Sequence, residues 1–279
     1  MHAERSLLTV DELVAGFEGG MLALPKDESG VPMAAVRALI RRRPRPFHLL
    51  CVPACGLHAD LLIGAGLVHT VECGGVVVGE LGAGARFRVA VRDGGLQLKD
   101  STCPVIHAGL QAGAKGAPFA SLRGIIGSDL LRVRPEWRVI DNPFADGGDP
   151  VLLVPALNPD CFLFHARWGD RHGNVWTGGR RDLAYTAHAS RKTFVTVEHI
   201  WDGNLLTDPV MSAGTLSEVY VSGLAHVPGG TWPMTLQHER EEDTPHIVRY
   251  MDAARTDEGF QAYLDEFVAN EPRIDGVRA

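Results

Sequence analysis

Glycine-rich segments give this sequence its best candidates for binding an anionic ligand. Each of them follows a predicted strand, and they comprise Pro25–Gly30, Gly74–Gly84 and Pro228–Gly230. Loops beyond the carboxyl ends of parallel strands expose backbone N–H groups, which suit phosphates and oxyanions. None of the segments matches the dinucleotide-binding pattern G-x-G-x-x-G, and the sequence lacks a P-loop. An ordinary tight turn is the alternative for each segment, so the glycines alone assign no ligand.

Two polar clusters could carry other chemistry. Cys51 and Cys55 could share a metal ion, but the intervening residues include a proline and suit tetrahedral ligation poorly. His165, Asp170 and His172 could form a metal site or an acid–base pair. The alternative, which we favour, is a buried histidine at a strand end followed by a solvated turn. The sequence therefore predicts no metal site.

The remaining polar motifs do not supply a nucleophile. The basic run from Arg41 to Arg45 could bind phosphate, but it also ends a predicted helix, where positive charge complements the helix dipole. No G-x-S-x-G motif occurs, so a serine hydrolase has no reactive serine to build on. These residues leave phosphate-binding loops without an assignable nucleophile.

Composition excludes several classes of protein. The chain has 279 residues, of which 45% are apolar and 22% charged, as in an ordinary globular protein. Its net charge of −7 gives no electrostatic footprint for nucleic acid. The most apolar run, residues 151–164, is interrupted by prolines and polar residues, so we expect no membrane span. Five cysteines without paired spacing favour reduced thiols and a cytoplasmic location.

The elements that must position the loops follow an alternating pattern of strands and helices. Short apolar runs predict buried strands, and they are Met21–Leu24, Phe47–Val52, Trp137–Ile140, Val151–Val154, Phe162–Phe164 and Thr193–Val197. Helical spacing follows Thr9, Pro32, Thr244 and Thr256. This alternation predicts an α/β fold with an open, mainly parallel sheet covered by helices on both faces. We expect a single domain over residues 1–279, with a loop or insertion around residues 142–150.

A resemblance to a known family adds what the residue patterns leave open. The segment Val154–Asp160, with His165-Ala166 and the turn Asp170–Asn174, resembles the central run of family I coenzyme A transferases. Ile140–Phe144 is similar to the I-D-N-P-F segment of glutaconate CoA-transferase α subunits. Weaker matches occur in order along nearly the whole chain, among them Pro32–Leu39, Val195–Glu198 and Pro228–Gly230.

The resemblance implies an α-type subunit that carries half of an active site. In such two-chain enzymes the nucleophilic glutamate belongs to a β-type partner and forms covalent intermediates. We therefore expect a hetero-oligomer that moves coenzyme A between an acyl-CoA and a carboxylic acid, with the CoA thioester as substrate and no permanently bound cofactor. The residues of this chain that match the binding loops are Gly74, Gly75, Ser101, Gly229 and Gly230.

Departures from the family pattern leave two alternatives. Leu24–Gly30 stands where the family commonly has Gly-Gly-Phe, and Gly230–Pro233 stands where it often has Gly-Ala-His-Pro. One alternative is a CoA-thioester hydrolase or ring-opening hydratase on the same scaffold, with Glu80 or Asp100 as weak catalytic candidates and Cys103 near the related branch's acidic position. The other alternative is a non-catalytic partner that stabilises a catalytic chain.

Overall fold

The computed structural model describes residues 5–270, so the two ends of the predicted domain, residues 1–4 and 271–279, lie outside the described residues. The strands are β1 (Met21–Pro25), β2 (Phe47–Val52), β3 (Val68–Cys73), β4 (Gln97–Asp100), β5 (Phe119–Leu122), β6 (Arg138–Asp141), β7 (Pro150–Pro155), β8 (Cys161–Asp170), β9 (Val175–Trp176), β10 (Lys192–Trp201), β11 (Thr215–Leu216) and β12 (Gly223–His226). The α-helices are α1 (Val10–Ala15), α2 (Met33–Arg42), α3 (Leu57–Gly64), α4 (Ala85–Arg92), α5 (Cys103–Ala114), α6 (Leu130–Val133), α7 (Arg181–Ala189), α8 (Thr244–Ala253) and α9 (Asp257–Phe267).

A nine-stranded sheet forms the centre of the described chain. Its parallel part has the order β12-β10-β8-β1-β2-β3-β4. The long strand β8 pairs with β1 near its start and with the antiparallel strand β9 near its end. The sheet therefore forks beside β8, at the point where β1 ends.

Helices cover both faces of this sheet because successive strand residues point in opposite directions. Leu22 and Leu24 pack into a core with α1, α2, α3, α8 and α9. Ala23, between them, packs on the opposite face with residues of α5 and α7. The predicted open, mainly parallel sheet with helices on both faces is confirmed.

A second, smaller sheet corrects part of the strand prediction. Trp137–Ile140 and Val151–Val154 do contribute strands, but these strands join β5 in an antiparallel sheet of order β5-β7-β6. Every residue of β6 is exposed, and only Trp137 just before it is buried. An apolar run has the same composition whether its strand is buried on both faces or belongs to a sheet covered on one face. The sequence pattern therefore assigned these two strands to the wrong sheet. Residues 142–149 connect β6 to β7.

The helix ends agree with the predicted capping residues. Thr9 and Glu12 form the expected capping box at the start of α1, and Thr256 caps α9 through the N–H of Gly259. At the end of α2, the Arg42 guanidinium donates to the backbone carbonyls of Val14 and Phe17.

Within residues 5–270, no helix combines the length and apolar composition that a membrane span needs.

Candidate functional site

The carboxyl ends of the parallel strands meet at one edge of the sheet, and the predicted binding loops all lie there. Residues 26–30 follow β1, residues 53–56 follow β2, residues 74–84 follow β3 and Ser101 follows β4. In an open parallel sheet, ligands bind in the crevice beyond this edge. The structure thus places the loops along one edge of the sheet. The contacts between them show which of their residues lie next to each other.

One group of predicted residues gathers at the ends of β3 and β4. The backbone N–H of Ser101 donates to the Cys73 carbonyl at 3.0 Å, which brings Ser101 beside Gly74 and Gly75. The Ser101 side chain is buried, and its hydroxyl has no hydrogen-bond partner among residues 5–270. A methyl group on Gly74 would sit 3.4 Å from the Cys103 Sγ, so the turn is tight but not closed to a side chain.

The two acidic candidates of the hydrolase alternative belong to the same parts of the chain, the loop after β3 and the end of β4. Glu80 belongs to the short 3-10 helix Gly79–Leu81 and is exposed. Asp100 ends β4 with an exposed side chain, while its backbone carbonyl accepts a hydrogen bond from Arg134. Both carboxylates are exposed, unlike the buried and charge-paired acids that are typical of catalytic sites.

Gly229 and Gly230 lie apart from that group, beyond the end of β12. Strands β10, β8, β1 and β2 separate β12 from β3 in the sheet. The Gly229 N–H donates to both carboxylate oxygens of Glu198 at 2.9 Å. The Gly230 carbonyl accepts from the Ala34 N–H, and a methyl group on Gly230 would come within 2.8 Å of the His165 ring. These glycines serve close packing of a turn over His165 and Glu198.

His165 and Glu198 form a buried pair on the neighbouring strands β8 and β10. His165 is 1% exposed; its Nδ1 lies 2.8 Å from the Thr196 Oγ1, and its Nε2 lies 3.3 Å from the Glu198 Oε2. Burial lowers the pKa of His165. Burial also raises the pKa of Glu198, but hydrogen bonds from His165 and Gly229 and the charge of Arg240 outweigh it, so that pKa is lowered.

The turn after β8 differs from the solvated turn that the sequence predicted. Asp170 is fully buried, and its carboxylate accepts hydrogen bonds from the backbone N–H groups of His172, Asn174 and Leu205. The Asn174 side chain donates a further bond to it. Asp170 therefore organises two loops from inside the protein, and the expectation of a solvated carboxylate was wrong.

A cavity of about 390 Å³ opens at the fork of the sheet, beside His165. Its walls come from residues 28–30, 165–167, 176–180 and 236–238, together with Leu183. Arg180 lines the cavity, and its guanidinium group donates to the Ser29 hydroxyl and to the Glu28 carbonyl. The Ser29 hydroxyl donates in turn to Asp182 at 3.2 Å. The cavity thus combines a fixed guanidinium group with a glycine-lined wall, and it is large enough for a small carboxylic acid.

The cysteine cluster shows no arrangement for metal binding. Cys51 and Cys55 are buried, and burial raises the pKa of both thiols, which keeps them protonated. The Cys55 thiol lies 3.5 Å from the Pro25 carbonyl, its acceptor. No set of three or more His, Cys, Asp or Glu side chains in residues 5–270 is placed to hold a metal ion.

Comparisons with known proteins agree with the fold. The family described as "Coenzyme A transferase" matches residues 8–227. The α-type subunit of 3-oxoadipate CoA-transferase from Pseudomonas knackmussii is 35% identical over 272 residues, covering 94% of this chain and 93% of that protein. The IpdA subunit of the cholesterol ring-cleaving hydrolase of Rhodococcus jostii is 28% identical, covering 85% of this chain and 82% of its own length.

A solved structure supports the same conclusion. Glutaconate coenzyme A-transferase from Acidaminococcus fermentans superposes with a TM-score of 0.83 at 25% identity, covering 95% of this chain and 89% of that one. The fold is therefore that of a CoA-transferase subunit. The chain belongs to the coenzyme A transferase family, as an α-type member, which confirms the resemblance of its central run. The 3-oxoadipate and glutaconate relatives are each named as one subunit of their enzyme, which implies a partner subunit.

Sequence reasoning proposed the binding loops but did not single out Glu198, which lies beside His165 in the structure. Val195–Glu198 contributed only a weak family match, and nothing in the spacing from His165 to Glu198 shows that the two side chains meet. The sheet register brings them together, because Thr196 lies directly beside His165 in the parallel pair β8–β10. The available indication was that the predicted strands Phe162–Phe164 and Thr193–Val197 are each followed directly by a polar residue.

Proposed function

We propose that this chain, together with a β-type partner, transfers coenzyme A from an acyl-CoA to a small dicarboxylic acid of the 3-oxoadipate type. The observation that carries the proposal is 35% identity to the α-type subunit of a 3-oxoadipate CoA-transferase over 94% of the chain. The cavity beside His165 and its Arg180 guanidinium support it, because a guanidinium group binds a carboxylate through paired hydrogen bonds.

The partner supplies the nucleophilic glutamate in this proposal. Its carboxylate attacks the thioester carbonyl, the CoA thiolate leaves, and a mixed anhydride forms. The thiolate then attacks the glutamyl carbonyl and releases the first acid, which leaves a glutamyl-CoA thioester. The second acid attacks that thioester and releases the thiolate again. The thiolate takes the new acyl group and frees the glutamate, so that two half-reactions give ping-pong kinetics.

The α-type chain provides the walls in which these steps occur. In the proposal, Gly74, Gly75 and Ser101, which follow β3 and β4, contribute to the binding crevice, and the Ser101 hydroxyl, buried and without a partner among residues 5–270, donates to a developing oxyanion. The turn of Gly229 and Gly230 closes the other side over His165. The proposal places the enzyme in the cytoplasm, in keeping with its free cysteines.

The proposal is tested with the chain co-expressed with its β-type partner. Succinyl-CoA serves as a short dicarboxylic donor and 3-oxoadipate as acceptor, and the products are free succinate and 3-oxoadipyl-CoA. Transfer that requires both chains and follows ping-pong kinetics is the expected result. Release of free CoA without a new acyl-CoA, abolished by D100N or E80Q, would instead establish the hydrolase alternative. Partner binding with kinetics unaffected by changes in the glycine loops would establish the stabilising role.

Arg180 provides the first prediction on substrate binding. Arg180→Gln should raise the KM for the dicarboxylic acid by about tenfold or more, because a charge-assisted bond to the distal carboxylate is lost. The matched control is Arg181→Gln, since Arg181 is exposed at the start of α7 and outside the cavity wall. Equal effects of the two changes would contradict the assignment of the cavity.

A further inference from the structure

The loop after β1 is held against the start of α3 by the half-buried Asp27 and the buried His58. The Asp27 carboxyl group lies against Gly56, whose backbone hydrogen-bonds it, and a methyl group on Gly56 would come within 2.2 Å of the Asp27 Oδ2. His58, fully buried in the first turn of α3, has its Nε2 3.0 Å from the Pro25 carbonyl oxygen. A carbonyl oxygen only accepts, so Nε2 carries the ring proton of a neutral His58.

The other ring nitrogen of His58 meets the carboxyl group of Asp27. Its Nδ1 lies 3.4 Å from the Asp27 Oδ1, and neither atom has another hydrogen-bond partner within residues 5–270. If Nδ1 were bare and Asp27 ionised, two unpaired acceptors would face each other away from water, which is costly. One proton between the two atoms removes this conflict, whichever of them holds it more tightly.

The groups around Asp27 and His58 favour a proton on this pair. Burial raises the pKa of Asp27, and the nearby Glu28 and Glu242 add to the rise, while His58 and the Gly56 backbone oppose it. Burial lowers the pKa of His58. The thiols of Cys51 and Cys55 also sense the charge of Asp27, and they stay protonated because burial raises their pKa.

We propose that Asp27 and His58 share a single proton, and that this bridge positions residues 26–30 as a wall of the substrate cavity. The inference rests on the proposed function, because Glu28, Ser29 and Gly30 line that cavity, and Glu28 and Ser29 accept hydrogen bonds from Arg180. Both side chains are positioning residues: they act through the loop. Breaking the bridge should loosen the loop, misplace Arg180 and weaken capture of the acid more than the later steps.

The test compares Asp27→Ala with Asp27→Asn in the complete two-subunit enzyme. The asparagine amide donates permanently to Nδ1 and keeps an oxygen for Gly56, so D27N should retain a KM for 3-oxoadipate within about twofold of the wild type. D27A should raise this KM by about tenfold, with a smaller change in kcat. The matched control is Asp93→Ala, an exposed aspartate paired only with its neighbour Arg92.

Two readouts do not depend on activity. Hydrogen exchange of residues 26–31 should accelerate in D27A and stay slow in D27N, and the nitrogen chemical shifts of His58 should show Nε2 protonated with Nδ1 in a hydrogen bond. A D27N variant that is as defective as D27A, although folded, would overturn the shared proton. Unchanged exchange and KM in D27A would overturn the positioning role. A wild-type complex that transfers no coenzyme A would refute the proposed function. Hydrogen exchange and the His58 chemical shifts would still show whether Asp27 and His58 share a proton.

Discussion

The protein contains two buried histidines at the same edge of its sheet, each beside a carboxyl group, and the pKa values of the two carboxyl groups are shifted in opposite directions. In both pairs a ring nitrogen lies close to a carboxylate oxygen, at 3.3 Å for His165 and Glu198 and at 3.4 Å for His58 and Asp27. Yet the pKa of Glu198 is lowered and the pKa of Asp27 is raised from the usual value of each carboxyl group.

The groups around each carboxylate explain the difference. Glu198 receives the Gly229 N–H on both oxygens and has the Arg240 guanidinium 3.9 Å away, so its charge is compensated. At Asp27, burial is the main cause of the raised pKa, and two further carboxylates, those of Glu28 and Glu242, add to it. The chemistry of a histidine–acid pair is therefore set by its neighbours rather than by the pair itself.

Removing the compensated carboxylate should cause the largest loss of stability. Glu198→Ala leaves the Gly229 N–H without its acceptor and His165 without its partner, both in a buried site. We expect the free energy of unfolding to fall by about 3 kcal/mol, measured by urea denaturation. Glu258→Ala, at an exposed glutamate of α9, is the control and should change it by less than about 0.5 kcal/mol. Similar losses in the two variants would show that the Glu198 network contributes nothing.

The two pairs should respond to pH with opposite signs. Glu198 has a lowered pKa, so it adds stability above its unfolded value of 4.5, which is lost as the pH falls through the folded pKa. Asp27 has a raised pKa, so its contribution is complete below 3.8 and is lost as the pH rises through the folded pKa.

Matched variants make this pH prediction measurable. Between pH 3 and pH 7, the stability of the wild type relative to E198Q should increase, whereas its stability relative to D27N should decrease. Urea denaturation at each pH gives both differences. The same sign for both would mean that the neighbours do not set the two protonation states.

The contribution of Arg240 should be the smallest. Arg240→Met keeps much of the side chain's apolar volume but removes the charge, so the pKa of Glu198 should move upward. The cost at neutral pH should be less than about 1 kcal/mol, because the ion pair is long and the Arg240 Nε has no hydrogen-bond partner among the described residues. Arg45→Met is the exposed control. A loss as large as that of E198A would make Arg240, rather than Gly229, the main support of Glu198.

Much of the fold could be predicted because its central strands are buried on both faces. Phe47–Val52 and Phe162–Phe164 form continuous apolar runs, as expected for such strands. Val151–Val154 forms the same kind of run in a different sheet, and composition cannot separate the two environments. The family resemblance indicated the candidate binding loops along the chain, because it depends on local sequence segments rather than on the order of strands in the sheet.

The candidate site was harder to predict because it depends on strand order. Gly74 and Gly229 both follow strands, but the sequence does not show that four strands lie between those two in the sheet. Asp27 and His58 likewise gave no motif, because they meet only through the packing of a loop against a helix start. Contacts between distant segments carry no local pattern that a single sequence could reveal.

The position of β8 has a consequence for how the protein is made on the ribosome. β8 lies between β1 and β10, so β1 has an open edge until the chain has been synthesised past β8. The backbone N–H of Met21 likewise lacks its acceptor, the carboxylate of Asp160, until 139 more residues have been synthesised. During translation the first half of the protein therefore exposes a pairing-competent apolar strand, which is where we expect nascent chains to depend on chaperones.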